Sequence, residues 1–180
     1  MRNSNMKEMV YEIIGGSTKI DHVENYMSLV HQFSKQHSIH IQLLNAKMIF
    51  GKIHLETAIF HAIRAMNGKK MSTQSIEMEI LLYSAGECQL SHAIPKMGIK
   101  QGETSIAAIF INEHNQKKIF YDSIELFIEK FNIQIDDAVL KQSIGKIRQW
   151  SFSVEEIQTI SKDSLEDLIL EKVAMVDIIK

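Results

Sequence analysis

Eight histidines, one cysteine and a few glycine turns are the residues of this 180-residue chain whose types and spacing best suit chemistry. His54 and His61 stand seven positions apart, about 10 Å of axial rise on a helix, which one zinc ion cannot span. His37 and His40 are closer, yet two imidazoles without Cys, Asp or Glu at ligand spacing make a weak site, so no metal is expected. Gly51-Lys52-Ile53 fails as a phosphate loop: position 46 is Ala where Gly is required, and position 53 lacks the hydroxyl that reaches magnesium. Gly-x-Ser-x-Gly is absent, and nothing in the sequence supplies Cys88 with a base. Gly15-Gly16-Ser17-Thr18, read as a strand-to-helix turn, could hold an anion on helix N–H groups, although an ordinary turn and cap is the plainer reading. A non-catalytic chain without cofactors is the expectation.

The elements that must position these residues follow from periodicity. Met9 to Ile14 reads as a strand closed by the two glycines, with a helix from about Lys19 to Gln36. Ile39, Ile41 and Leu43 alternate with His40 and Gln42, the pattern of a half-buried strand. Leu55, Ile59, Ala62, Ile63 and Met66 recur at helical spacing between Gly51 and a stop at Gly68. Ser75 to Ala85 is apolar almost all round, a helix with little free surface stopped by Gly86; a narrow solvent-facing edge is expected for its Glu79, ahead of a buried acid with a partner. A short helix through Leu90, Ala93, Ile94 and Met97 should follow, then a central strand buried on both faces over Thr104 to Ile111. The remainder looks helical. Ser153 with Glu156 has capping-box spacing, and Ser164 with Asp167 should start the last helix in a similar way. There Leu165, Leu168, Ile169, Val173 and Val176 form a core stripe, while Leu170, Met175, Ile178 and Ile179 widen it into a candidate interface. The fold class expected is α/β: one domain over residues 1–180, with a small mixed or antiparallel sheet, several helices and a helical C-terminal region.

Composition narrows the function. A net charge of −2 and a pI near 6.4 give no global positive field for nucleic acid, so any RNA contact needs a local patch. The best local basic group is Lys52, Arg64, Lys69 and Lys70, for which a solvated face is the default reading. One thiol suits a reducing compartment, no apolar run spans a membrane, and Met1 to Glu8 lacks the apolar core of a signal peptide, so a soluble cytoplasmic protein is expected.

Those basic residues coincide with segments that resemble a known family. Phe50-Gly51-Lys52-Ile53-His54-Leu55, then Ala58, Ala62 and Ala65, then Glu79 through Leu90, Ala93-Ile94, Met97-Gly98-Ile99 and the closing Leu165 to Asp177 are similar to the small regulatory subunit of the KEOPS tRNA-modifying complex, the PRPK-binding protein family with its archaeal Cgi-type counterparts. Glu113 to Trp150 matches only loosely, and Cys88 stands where family members often carry Arg. The resemblance implies an α/β domain that docks through hydrophobic helical surface on the complex's kinase-like ATPase and promotes its activity. It also implies help in recruiting tRNA, notably the 3′ CCA end, for N6-threonylcarbamoyladenosine formation. On this reading Phe50, Lys52, His54, Arg64, Lys69 and Lys70 are the candidate tRNA-binding residues, and Leu170, Met175, Ile178 and Ile179 the candidate partner-binding residues. The alternatives are a stand-alone RNA-binding module and a small metal- or anion-binding enzyme.

Overall fold

The run Ile106-Ala107-Ala108-Ile109-Phe110-Ile111 contains no polar residue because both faces of its strand are covered. In the computed structural model, which describes residues 9–113, 116–150, 152–159 and 164–179, four strands form one antiparallel sheet: β1 (Val10–Ile20), β2 (His40–Asn45), β3 (Gly102–Asn112) and β4 (Gln134–Ile135). The Met1 to Glu8 peptide, and with it the reading that it is no signal peptide, lies outside the described residues. The strand order is β2-β3-β1-β4. β1 pairs with β3 along its whole length, from Val10 opposite Asn112 to Ile20 opposite Gly102. β2 lies on the other side of β3, with His40 opposite Ile111.

Eight α-helices are described: α1 (Val23–His37), α2 (Lys52–Asn67), α3 (Ile76–Ala85), α4 (Leu90–Met97), α5 (Lys117–Lys130), α6 (Ile144–Ile147), α7 (Val154–Thr159) and α8 (Leu165–Ile179). They divide by the alternation of β3. Ile106, Ala108 and Phe110 meet Val30 and Phe33 of α1 and Phe120, Ile124 and Phe127 of α5. Ala107, Ile109 and Ile111 point the other way, into a larger core with α2, α3, α4 and α8. The expected α/β class holds, and the sheet is antiparallel.

Several local expectations change. β1 runs straight through Gly15-Gly16, and the helix starts at Val23. The glycines are there because β4 and the segment after it cross too closely for a side chain. A Cβ on Gly16 would lie 2.7 Å from the Gln134 carbonyl oxygen, and one on Gly15 would lie 2.9 Å from that of Asp136. The Gly15 N–H donates to Asp137 Oδ1 at 2.8 Å, so this segment is a strand and not an anion-binding turn. β4 has only two residues, too few for a periodic signal. β2 is buried on both faces rather than half-buried, since Gln42 is 4% exposed. Past α2, the left-handed residue is Lys69 (φ 54°), not Gly68 (φ −80°).

α3 is buried nearly all round, capped by the Ser75 hydroxyl and ended by Gly86 at φ 63°. Glu79 is fully buried, which corrects the expected solvent-facing edge. Its carboxylate accepts from the N–H groups of Ser72 and Thr73 and, at 2.8 Å, from the Thr73 hydroxyl, so the preceding loop replaces the water it gives up. The Ser153–Glu156 capping box forms as read: Ser153 N–H donates to Glu156 Oε2 at 2.6 Å and Glu156 N–H to Ser153 Oγ at 3.1 Å. α8 begins directly after Ser164.

His54 of α2 is the other buried polar group of this core. Its Nδ1 accepts the Phe50 N–H at 3.2 Å, which leaves the proton on Nε2 to be donated to the Ser84 carbonyl at 2.9 Å. Trp150 meets the ring edge-on, with centroids 5.4 Å apart. Burial drives the His54 pKa down to about 4. In the unfolded chain the imidazole takes a proton near the ordinary value of about 6.5, so the unfolded state binds more protons between those values and stability is lost as pH falls from about 6.5 towards 4. The full contribution is about 3 kcal/mol. Replacing His54 with Asn should lower stability at neutral pH and flatten the pH slope between about 6.5 and 4 in chemical denaturation; a slope equal to that of the wild type would refute the neutral, buried assignment.

Candidate functional site

α2 and the residues just outside its two ends carry the six tRNA-binding candidates, but the fold separates them. Phe50 is 2% exposed and His54 0%. Both side chains are core, so neither presents a ring to a nucleotide in this fold, and the roles expected of them are corrected on that ground. Lys52 starts α2, where its ammonium lies 2.7 Å from Asp137 Oδ2. Burial works against ionisation of Asp137, yet bonds from Lys52 and the Gly15 N–H outweigh it and hold the carboxyl below its ordinary range. Arg64 lies twelve residues further along, about 18 Å of helix, so Lys52 and Arg64 do not form one patch.

Arg64 and Lys70 do come together. With Ala65, Gly68, Ser72 and Asp177 they line a cleft of about 680 Å³ at the C-terminal end of α2. Lys69 is exposed beside it. Asp177 of α8 organises this end of the molecule. Its Oδ1 accepts the Tyr83 hydroxyl at 2.6 Å, and its Oδ2 lies 2.6 Å from His61 Nδ1 and pairs with the Arg64 guanidinium. Burial opposes its ionisation, but the bonds from Tyr83 and His61 and the nearby cationic Arg64 hold its pKa below the usual carboxylate range. Burial first, and then the Asp177 carboxylate, push the Tyr83 phenol well above its ordinary value. Tyr83 stays a neutral donor, suited to fixing α8 and not to proton transfer at neutral pH.

The apolar residues expected at the interface split as well. Met175, Ile178 and Ile179 are 38%, 74% and 51% exposed. Their spacing of three and four places them on one outward side of α8. Leu170 is half-buried on the opposite flank of that helix. Phe60 of α2, which sequence reading passed over, is 63% exposed and lies 6.0 Å from the Arg64 guanidinium. It thus borders the same Arg64–Asp177 pair that precedes Ile178. Helical wheels signal neither Phe60 nor Asp177 as special, because what joins them is the packing of α2 on α8.

Two other lysines, Lys96 and Lys146, are committed elsewhere. Lys96 donates to the Ala85 carbonyl, pairs with Glu87 at 3.3 Å and sits 4.2 Å from the Trp150 ring centre. Lys146 donates to the Ile49 carbonyl at 2.8 Å. Among the described residues no group of three or more His, Cys, Asp or Glu is placed to hold a metal ion, and no helix is long and apolar enough to cross a membrane. Cys88 is a half-buried free thiol.

The sequence has named relatives. The family described as Kinase binding protein CGI-121 matches residues 20–177. The Regulatory protein Cgi121 of Methanocaldococcus jannaschii is 31% identical over 140 residues, covering 77% of this chain and 84% of that protein. The EKC/KEOPS complex subunit CGI121 of Candida glabrata is 22% identical over 145 residues, 79% of this chain and 82% of the relative. That of Kluyveromyces lactis is 23% identical over 130 residues, 67% and 83% of the two chains. The match reaches from the end of β1 to Asp177, taking in α2, the buried α3 and α8 as far as Asp177, with Ile178 and Ile179 just beyond it, and the chain belongs to the kinase binding protein CGI-121 family.

Proposed function

We propose that this chain is a non-catalytic regulatory subunit of a KEOPS-type complex, a single cytoplasmic domain that binds the kinase-like ATPase subunit and promotes its activity. The observation that carries the reading is the outward apolar side of α8, with Ile178 74% exposed, next to exposed Phe60 on α2. Apolar side chains concentrated on one surface commonly mark a protein interface, and the family match makes a kinase-like partner the natural occupant. Tyr83, His61 and Arg64 fix this surface in advance through Asp177, which lowers the ordering cost of docking.

The finer part of the proposal is recruitment of tRNA through its 3′ CCA end for N6-threonylcarbamoyladenosine formation. The cleft lined by Arg64 and Lys70 supports it, with Phe60 as a stacking surface in place of the buried Phe50. Lys69 and Lys70 have no ion pair with a carboxylate among the described residues, whereas the charge of Lys52 is offset by Asp137.

Two outcomes follow. Ile178→Asp should change stability by less than about 0.5 kcal/mol at so exposed a site, and should weaken co-elution with the kinase-like subunit by roughly tenfold or more, together with its stimulated ATP hydrolysis. Undiminished association would refute this docking surface. In mobility-shift titrations with intact tRNA and tRNA lacking CCA, Lys70→Glu should weaken binding to intact tRNA more than Lys52→Glu does, and the loss should be larger at low salt. Equal effects of the two variants would refute the cleft assignment.

A further inference from the structure

His40 opens β2 and meets carboxylates from two other elements. Its Nδ1 lies 2.9 Å from Oε1 of Glu77, in the first turn of α3, and its Nε2 lies 3.2 Å from Oε1 of Glu113, just past β3. All three residues line a hollow of about 440 Å³ between α1, β2 and the start of α3. An ionised carboxylate only accepts hydrogen bonds, so both ring nitrogens must carry protons for both contacts to be bonds. A neutral imidazole has one N–H and can satisfy only one of them. The geometry therefore fits the imidazolium; with a neutral ring, one contact would set a nitrogen lone pair against a carboxylate oxygen.

The surroundings agree. Among the described residues, the titratable groups lining the hollows beside His40 are Glu77, Glu113 and, from α1, His31 and Lys35. The Glu77 hydrogen bond raises the His40 pKa, burial opposes it, and Glu113 adds to the rise. Burial also works against ionisation of Glu77, yet the bond from His40 and its neighbours hold that carboxyl below its ordinary range. Glu113 has a further interaction besides this one, so losing the His40 bond would unfasten it from β2 without leaving it unpartnered.

We propose that His40 is a protonation-dependent clasp: the imidazolium ties α3 to the end of β3 across β2, and the neutral ring keeps the shorter bond to Glu77 and lets Glu113 go. The rim of the hollow thus loosens on its Glu113 side as pH rises. A histidine whose folded pKa is raised contributes stability that is fully present below the ordinary value of 6.5 and lost as pH rises through the folded pKa. That sign is opposite to that of His54, whose contribution is lost as pH falls. α3 is therefore joined to its neighbours by two histidines of opposite charge state, cationic His40 at its start and neutral His54 at its end.

The test is an NMR titration of the histidine ring nitrogens in the whole protein. At about pH 6 both nitrogens of His40 should be protonated, and its midpoint should lie above 6.5, with the proton leaving Nε2. Glu77→Gln should move that midpoint down, and Glu113→Gln should do so by less. In chemical denaturation, the stability advantage of the wild type over Glu113→Gln should shrink between about pH 6 and about pH 9. The proposal is overturned if His40 titrates at or below 6.5, if the proton leaves Nδ1 instead, if neither variant moves the midpoint, or if the stability difference is the same at both pH values. The kinase-docking and tRNA readings use none of these residues and do not depend on the result.

Discussion

The structure depends on a helix that has almost no free surface. α3 packs against α2, α4, α8 and the edge strand β2, and every residue from Glu79 to Ala85 is buried. Its apolar side chains favour that location, but its polar groups must then find partners inside the protein or cost several kcal/mol. Three residues of the helix meet most of this demand, each through a different element, while the buried Ser84 hydroxyl has no hydrogen-bond partner among the described residues. Glu79 gathers the N–H groups of Ser72 and Thr73 from the loop before the helix. The Ser84 carbonyl accepts His54 of α2. Tyr83 reaches out to Asp177 near the end of α8.

Function follows from where those bonds end. The Tyr83–Asp177 bond holds the end of α8 against α3, the His61 and Arg64 contacts of Asp177 hold it against α2, and Met175, Ile178 and Ile179 are left facing outward, while Asp177 orients Arg64 at the cleft. The Glu79 clamp fixes the 68–75 loop, which is a wall shared by two hollows. One side of it contributes Lys70 and Ser72 to the basic cleft, and the other contributes Met71 and Gln74 to a second cavity, of about 440 Å³, between α1, β2 and the start of α3. A fully covered buried helix thus places a rigid apolar and basic surface where a second macromolecule can meet it. The opposite layer, α1 and α5 over Phe110, closes the sheet's other face with an aromatic cluster.

Much of this architecture was legible in the sequence, because one-dimensional patterns report one-dimensional causes. The unbroken run of β3, the all-round apolarity of α3, the Gly86 stop and the Ser153–Glu156 box each reflect burial or capping within a few residues. What could not be read depends on segments far apart in the chain. Gly15 and Gly16 look like a turn until β4 is seen crossing them, and Glu79 looks exposed until Ser72 and Thr73 are seen folding over it. The candidate site suffered most. Phe50 and His54 have the right chemistry for RNA but serve the core, and the exposed aromatic, Phe60, lies one turn before Arg64. Lys52 is at the far end of α2 from Lys70, a distance that linear proximity conceals.

The central claim is that the α2–α8 surface exists to be covered by the kinase-like subunit. Backbone hydrogen exchange of the whole chain, alone and in complex with that subunit, tests it most directly. Slowed exchange concentrated at the ends of α2 and α8, with α1 and α5 unchanged, is the result predicted. Protection confined to α1 and α5, or no protection at a concentration where the complex forms, would contradict it.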